Sequence, residues 1–85
     1  MERPEWWEWE LVLSLHVELR MDDRGFSEVE LREMLERATS LERDHVPGRW
    51  VVSTHHRARP WNVLLEPDAH DRTLVVITAF EVEDR

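Results

Sequence analysis

Two short segments hold the side chains best fitted to chemistry: HVELRMDDRGFSE at residues 16–28 and HRARPWNVLLEPD at residues 56–68. The first spaces His16, Arg20 and Arg24 at i, i+4 and i+8, so a helix there would align them in one stripe. Such a stripe is a cationic ridge with one titratable nitrogen, able to hold a phosphate while His16 exchanges a proton. Asp23 and Glu28 stand close enough in sequence to neutralise the two arginines, which would leave an ordinary polar helix face. The second segment brings His56, Arg57 and Arg59 to a turn between strands: a proton-transfer group beside a phosphate clamp, or a solvated turn tip. Trp61, after Pro60, could stack on a nucleobase. Its alternation with Val63 and Leu65 equally assigns it to the core.

Other chemistries find no residues to carry them. Cysteine is absent, which excludes disulfides, thiolate metal sites and a cysteine nucleophile. His55 and His56 are adjacent in a strand and point to opposite faces, and His16, His45 and His70 stand at no recognised ligand spacing, so no metal is expected. No nucleophile elbow, P-loop, dinucleotide fingerprint or helical HExxH occurs, and no cofactor is implied. No apolar run approaches the ~20 residues of a membrane span, and the first residues, MERPEWWEWE, are acidic. The expectation is a cytoplasmic protein with no membrane association.

The net charge is −8, from 19 acidic and 11 basic residues, and every basic residue is arginine. Guanidinium forks suit phosphate, although a GC-rich genome produces the same bias. Residues 1–48 hold six arginines against 13 acids, whereas residues 49–72 hold four against three. Any anion-binding surface is therefore expected in the middle block, joined by helix residues brought beside it. The overall field repels nucleic acid at long range, and the acid surplus fits either adaptation to salt or a basic partner.

The elements that must position these groups follow from periodicity. Residues 6–13 alternate, with Trp7, Trp9, Leu11 and Leu13 on one side, which predicts a half-buried strand. Ser14 caps a helix in which Leu15, Leu19 and Asp22 or Asp23 fall at helical spacing, and Gly25 ends it. Ser27 and Glu30 form a capping box for a second helix whose Leu31, Met34, Leu35 and Ala38 make an apolar stripe. Its outer face pairs Glu28 with Arg32 and Glu33 with Arg37. Residues 39–48 connect, with room for a short strand. Strands at Arg49–His56, Trp61–Glu66 and Thr73–Val82 follow, separated by hairpin-length links. One α+β domain over residues 1–85 results, in the order β-α-α-β-β-β, with two helices on one face of an antiparallel sheet. The first strand could lie at an edge and pair with another copy as a homodimer. With 85 residues, only about 60 to 65% of the unfolded chain's surface is buried, and five tryptophans supply apolar area economically.

His16, Arg20, Met21, Arg24, Gly25, Phe26 and Ser27, then Pro47 to Trp50, then His56, Arg59, Pro60, Trp61, Val63 and Glu66 to Asp68, and finally VVITAF at 75–80 together resemble a bacterial domain-of-unknown-function family. That family is similar in plan to the RelE and BrnT toxins. The resemblance implies a RelE-like fold and metal-independent RNA cleavage by basic side chains on the sheet and adjoining helix. His16 or His56 would then take the 2′-hydroxyl proton and the other histidine would protonate the leaving oxygen, Arg20 and Arg59 would stabilise the phosphorane, and Arg24 and Arg57 would bind phosphate. RNA or the ribosome would be the target and an antitoxin protein the restraint. Phe80 stands where tyrosine is usual. The alternative on the same fold is a noncatalytic protein-interaction module, which binds a partner through tryptophans and an acidic edge strand.

Overall fold

The computed structural model describes residues 1–82. A short 3-10 helix (Glu5–Glu8) leads into β1 (Glu10–Leu13), α1 (Leu15–Arg24), α2 (Glu28–Glu36), β2 (Ser40–Arg43), β3 (Trp50–His56), β4 (Arg59–Asp68) and β5 (Thr73–Glu81). The strands form one sheet in the order β1-β5-β4-β3-β2. The expected α+β architecture is the one adopted, with two helices packed against the sheet. Its detail is richer than the expectation. The connector supplies β2 as an edge strand antiparallel to β3, and β1 runs parallel to β5, so the sheet is mixed. Only hairpin partners announce their direction locally; β1 joins β5 across the whole chain and carries no such signal.

The first strand is shorter than its alternation implied. Residues 5–8 curl into the 3-10 turn, with Trp7 N–H bonded to the Pro4 carbonyl and Trp9 N–H to that of Trp6. Curling buries Trp7 in the core and leans Trp6 on Trp50 at 5.5 Å between ring centroids. An extended edge strand would have left more of both indoles in water.

Both helices start and stop where their caps dictate. The Ser14 hydroxyl accepts from Val17 N–H, and Gly25 ends α1 in the left-handed region at φ 71°. Ser27 and Glu30 complete the capping box of α2. Of the two expected outer ion pairs, Glu33–Arg37 forms at 3.7 Å, while Arg32 instead donates to the Trp9 carbonyl. Val17 and Met21 from α1, with Leu31, Met34 and Leu35 from α2, cover Val52, Val63, Leu65, Leu74, Val76 and Ala79 of the sheet. The buried Thr54 hydroxyl is satisfied by the Met34 carbonyl. The opposite sheet face, carrying Val51, Asn62, Leu64, Val75 and Phe80, has no helix over it among the described residues. No helix among the described residues is long and apolar enough to cross a membrane.

Candidate functional site

The site begins at an irregularity in β5. Leu74 and Val76 face the helices, so strict alternation would also turn Thr78 inward. A bulge intervenes: Leu65 pairs with Val76 but Leu64 pairs with Thr78, which leaves Ile77 unmatched. Beyond it Ala79 becomes the buried residue, and Thr78 joins Leu64 on the open side. Bulges re-aim side chains in this manner and concentrate beside functional sites.

The bulge also anchors α1. β1 stops at the level of Val76, whose carbonyl accepts from Ser14 N–H, and the Ser14 hydroxyl donates to the Ile77 carbonyl at 2.8 Å. The helix therefore starts against the bulge. His16, the second residue of the helix, is exposed and sets its Nε2 3.1 Å from Thr78 Oγ1, with the tautomer deciding which group donates. At its other end α1 reaches the β3–β4 tip, where Arg57 Nη2 donates to the Gly25 carbonyl at 3.1 Å. The stripe of His16, Arg20 and Arg24 thus runs from the bulge toward the hairpin. Neither Arg20 nor Arg24 forms an ion pair or hydrogen bond among the described residues, with Asp23 and Glu28 included. Phe80 lies opposite Asn62 on the open face, 36% exposed.

The second segment has a different character. His56 is only 6% exposed, with its ring against Phe26 at 5.5 Å and Trp61 at 5.7 Å. Its Nε2 lacks a hydrogen bond and lies 3.8 Å from Glu30 Oε2. Burial, and then the neighbouring Arg57 charge, hold its pKa below the ordinary 6.5, while Glu30 pulls weakly the other way. His56 is therefore a neutral, enclosed ring at pH 7. Glu30 is a hub: one carboxylate oxygen accepts from Ser27 N–H, and the other takes Arg57 at 3.4 Å beside His56. Arg57 is thus engaged on α2 rather than held out for phosphate. Arg59, largely exposed, leans on Glu81 at 3.6 Å.

The structure therefore groups His16, Arg20 and Arg24 and sets His56 apart with Phe26, Trp61 and Glu30. No hydrogen bond or ion pair joins the two histidines among the described residues. Trp61 is not a platform for a base: it is buried, edge-on to Phe26 and His56. Thr78, Asn62 and Phe80 were not singled out as site residues by spacing, although the break in alternation between Val76 and Ala79 is a bulge signal. Among the described residues, surface depressions lie elsewhere: one of about 180 Å³ is lined by Trp7, Arg32 and Glu36, and another of about 310 Å³ by Arg43, His45 and Arg49. Neither includes His16 or His56. No group of three or more His, Asp or Glu among the described residues could hold a metal.

No protein-family model matches the chain, and no curated protein or solved structure matches it.

Proposed function

We propose that the chain is a RelE/BrnT-like, metal-independent endoribonuclease of the cytoplasm, with the α1–β5 edge rather than the hairpin tip as its working surface. The observation that carries the reading is the exposed His16 imidazole beside Thr78, at the head of a cationic stripe without carboxylate partners among the described residues. In this scheme His16 takes the 2′-hydroxyl proton, the 2′-oxygen bonds to phosphorus, and the phosphorus–5′-oxygen bond breaks. Solvent protonates the departing oxygen, leaving a 2′,3′-cyclic phosphate. Arg20 and Arg24 stabilise the phosphorane, whereas Arg59, paired with Glu81 at the start of β4, stands outside this surface. Thr78 orients the imidazole. His56 takes no part, because a ring held neutral and enclosed between two aromatics does not meet a substrate proton.

The charge of −8 works against nucleic acid at long range, so recognition rests on short-range guanidinium contacts and on low affinity at physiological salt. An antitoxin protein would restrain such an enzyme in the cell. Expression of the chain alone tests the reading: growth arrest relieved by His16→Ala supports it, and harmless high expression of the wild type opposes it.

The alternative, a noncatalytic interaction module, is favoured by one observation: Leu15 and Leu19 of α1 stand 71% and 61% exposed. The tryptophans expected to carry such binding do not offer themselves. Trp7 and Trp61 are buried, and Trp6 and Trp9 pack partly against the core. Trp50 lies between Trp6 and the Arg43 guanidinium.

A further inference from the structure

Five strands lie side by side, and among the described residues helices cover only one face of their sheet. The strand register shows what the other face holds. Leu64 is its centre, with Thr78 of β5 on one flank and Val51, then Glu42, on the other. Two residues along β4, Glu66 lies beside Val75, and Val75 beside Val12. Two residues the other way, Asn62 lies between Phe80 and Ser53. Val12, Val75, Leu64, Val51 and Phe80 are thus direct or diagonal neighbours in one apolar field. Val12 and Phe80 are 43% and 36% exposed.

In a chain of net charge −8 the centre of this field is neutral. Glu66 is held by Arg49 at 3.3 Å, and the other carboxylates of the face stand toward its margins: Glu42 on the outer strand β2, Glu10 at the start of the outer strand β1, and Asp68 at the end of β4. Copies of so acidic a protein repel one another over most of their surface and meet here without opposed charges in the middle. Size and shape narrow the occupant further. Five strands ~4.8 Å apart make the face roughly 24 Å wide, and one helix of about 10–12 Å would leave half of it in water. A second sheet covers it all. Over about 20 Å of strand, such stacking hides on the order of 500 Å² per copy, or about 1,000 Å² in total, the size of a weak, reversible dimer.

We propose that the protein dimerises by stacking this open sheet face on the same face of a second copy. The pattern is self-complementary. The rows through Val75 and Phe80 lie two residues to either side of Leu64 along β4, about 7 Å each way. A two-fold axis running across the strands at Leu64 therefore sets Leu64 on Leu64, Val75 of each copy over Phe80 of the other, and Glu66 over the Asn62 amide. Glu42 faces Glu42 only at the rim, so salt strengthens the association. An anionic membrane would be repelled by the charge of the chain. The proposal does not rest on the ribonuclease reading, since Arg20 and Arg24 belong to a helix of the other layer.

The test is sedimentation of the full chain between roughly 10 µM and 1 mM, at low and high salt, with amide NMR over the same dilution series. A monomer–dimer equilibrium is expected, at least threefold tighter at high salt, with dilution shifts centred on Val51, Asn62, Leu64, Val75 and Phe80. Leu64→Arg and Leu64→Glu should each weaken the dimer at least tenfold, and an equimolar mixture of the two should restore it, because the axis sets these side chains against each other. Phe80→Thr, at an exposed strand position, should also weaken it tenfold and carries the test if the Leu64 variants lose their fold. A protein monomeric throughout overturns the proposal, and open-face amides that then shift with phosphatidylglycerol vesicles would make a membrane the occupant. Dilution shifts centred on the β1 or β2 edge, or on Leu15 and Leu19, overturn it as well, as does a dimer unchanged in the folded variants.

Discussion

His16 Nε2 and Thr78 Oγ1 lie 3.1 Å apart across 62 residues of sequence, and a β-bulge is what lets them meet. Without the unmatched Ile77, Thr78 would face the core and α1 would lose the carbonyl that receives the Ser14 hydroxyl. One extra residue in β5 thus places the hydroxyl, sets the start of the helix and aims its first histidine.

Thr78→Val tests this positioning role. The change keeps shape and β-branching but removes the oxygen, and because the bond is exposed the stability cost should be no more than about 1 kcal/mol. RNA cleavage should fall roughly tenfold or more, as imidazole orientation is lost. The pH–rate profile should shift with it; a change in stability alone, with rate and profile intact, would make Thr78 merely structural.

Ser14→Ala and Ser27→Ala each remove an N-cap and should each cost about 1 kcal/mol in urea unfolding. Only Ser14 also ties its helix to the bulge through Ile77. Ser14→Ala should therefore reduce cleavage as well, whereas Ser27→Ala should leave it nearly unchanged. Equal effects on activity would argue against the bulge as the anchor of the site.

His56 makes stability depend on pH with a definite sign. Its folded pKa lies below the ordinary 6.5, chiefly through burial, so the native state binds fewer protons than the unfolded chain. Its contribution is complete above about pH 6.5, falls as pH drops through the interval down to the folded pKa, and levels off below it. Urea midpoints measured from pH 8 to 5 should decline across that interval, and His56→Leu should flatten this part of the curve. An unchanged slope in the variant would remove His56 as the source.

The β3–β4 turn places two non-glycine residues in the left-handed region, Arg57 at φ 52° and Ala58 at φ 62°. This type I′ geometry matches strand twist but strains an L-residue, so Ala58→Gly should stabilise the fold by about 1 kcal/mol. The melting temperature should then rise by roughly 4 to 8 °C. A fall would mean that the turn depends on the Ala58 side chain.

Much of the architecture was legible because it is encoded locally. Ser14, Gly25 and the Ser27–Glu30 box declare the helix ends, and the alternation of Val, Trp and Thr declares the three long strands. What stayed hidden depends on distant partners. The parallel union of β1 with β5 joins residues more than 60 apart, and the curl of Trp6 and Trp7 depends on the sheet they cover. The same holds at the site. The stripe from His16 to Arg24 could be read from helical spacing, but Thr78 could not, because its direction is set by a bulge. His56 and His16 look equivalent in sequence, and only packing against Phe26 and Trp61 separates the enclosed ring from the exposed one. Leu15 and Leu19 read as a regular helical spacing, yet Val17 and Met21 are the residues the fold buries.

Cleavage of a structured RNA and of a translated message by purified protein, with chelator present, tests the central claim most directly. The ribonuclease reading predicts 2′,3′-cyclic phosphate ends from the wild type, a loss of about 100-fold or more in His16→Ala, and retained cleavage in a folded His56→Leu variant. No cleavage by the wild type at low or high salt, on free RNA or on ribosomes, would contradict it, as would cleavage that survives His16→Ala.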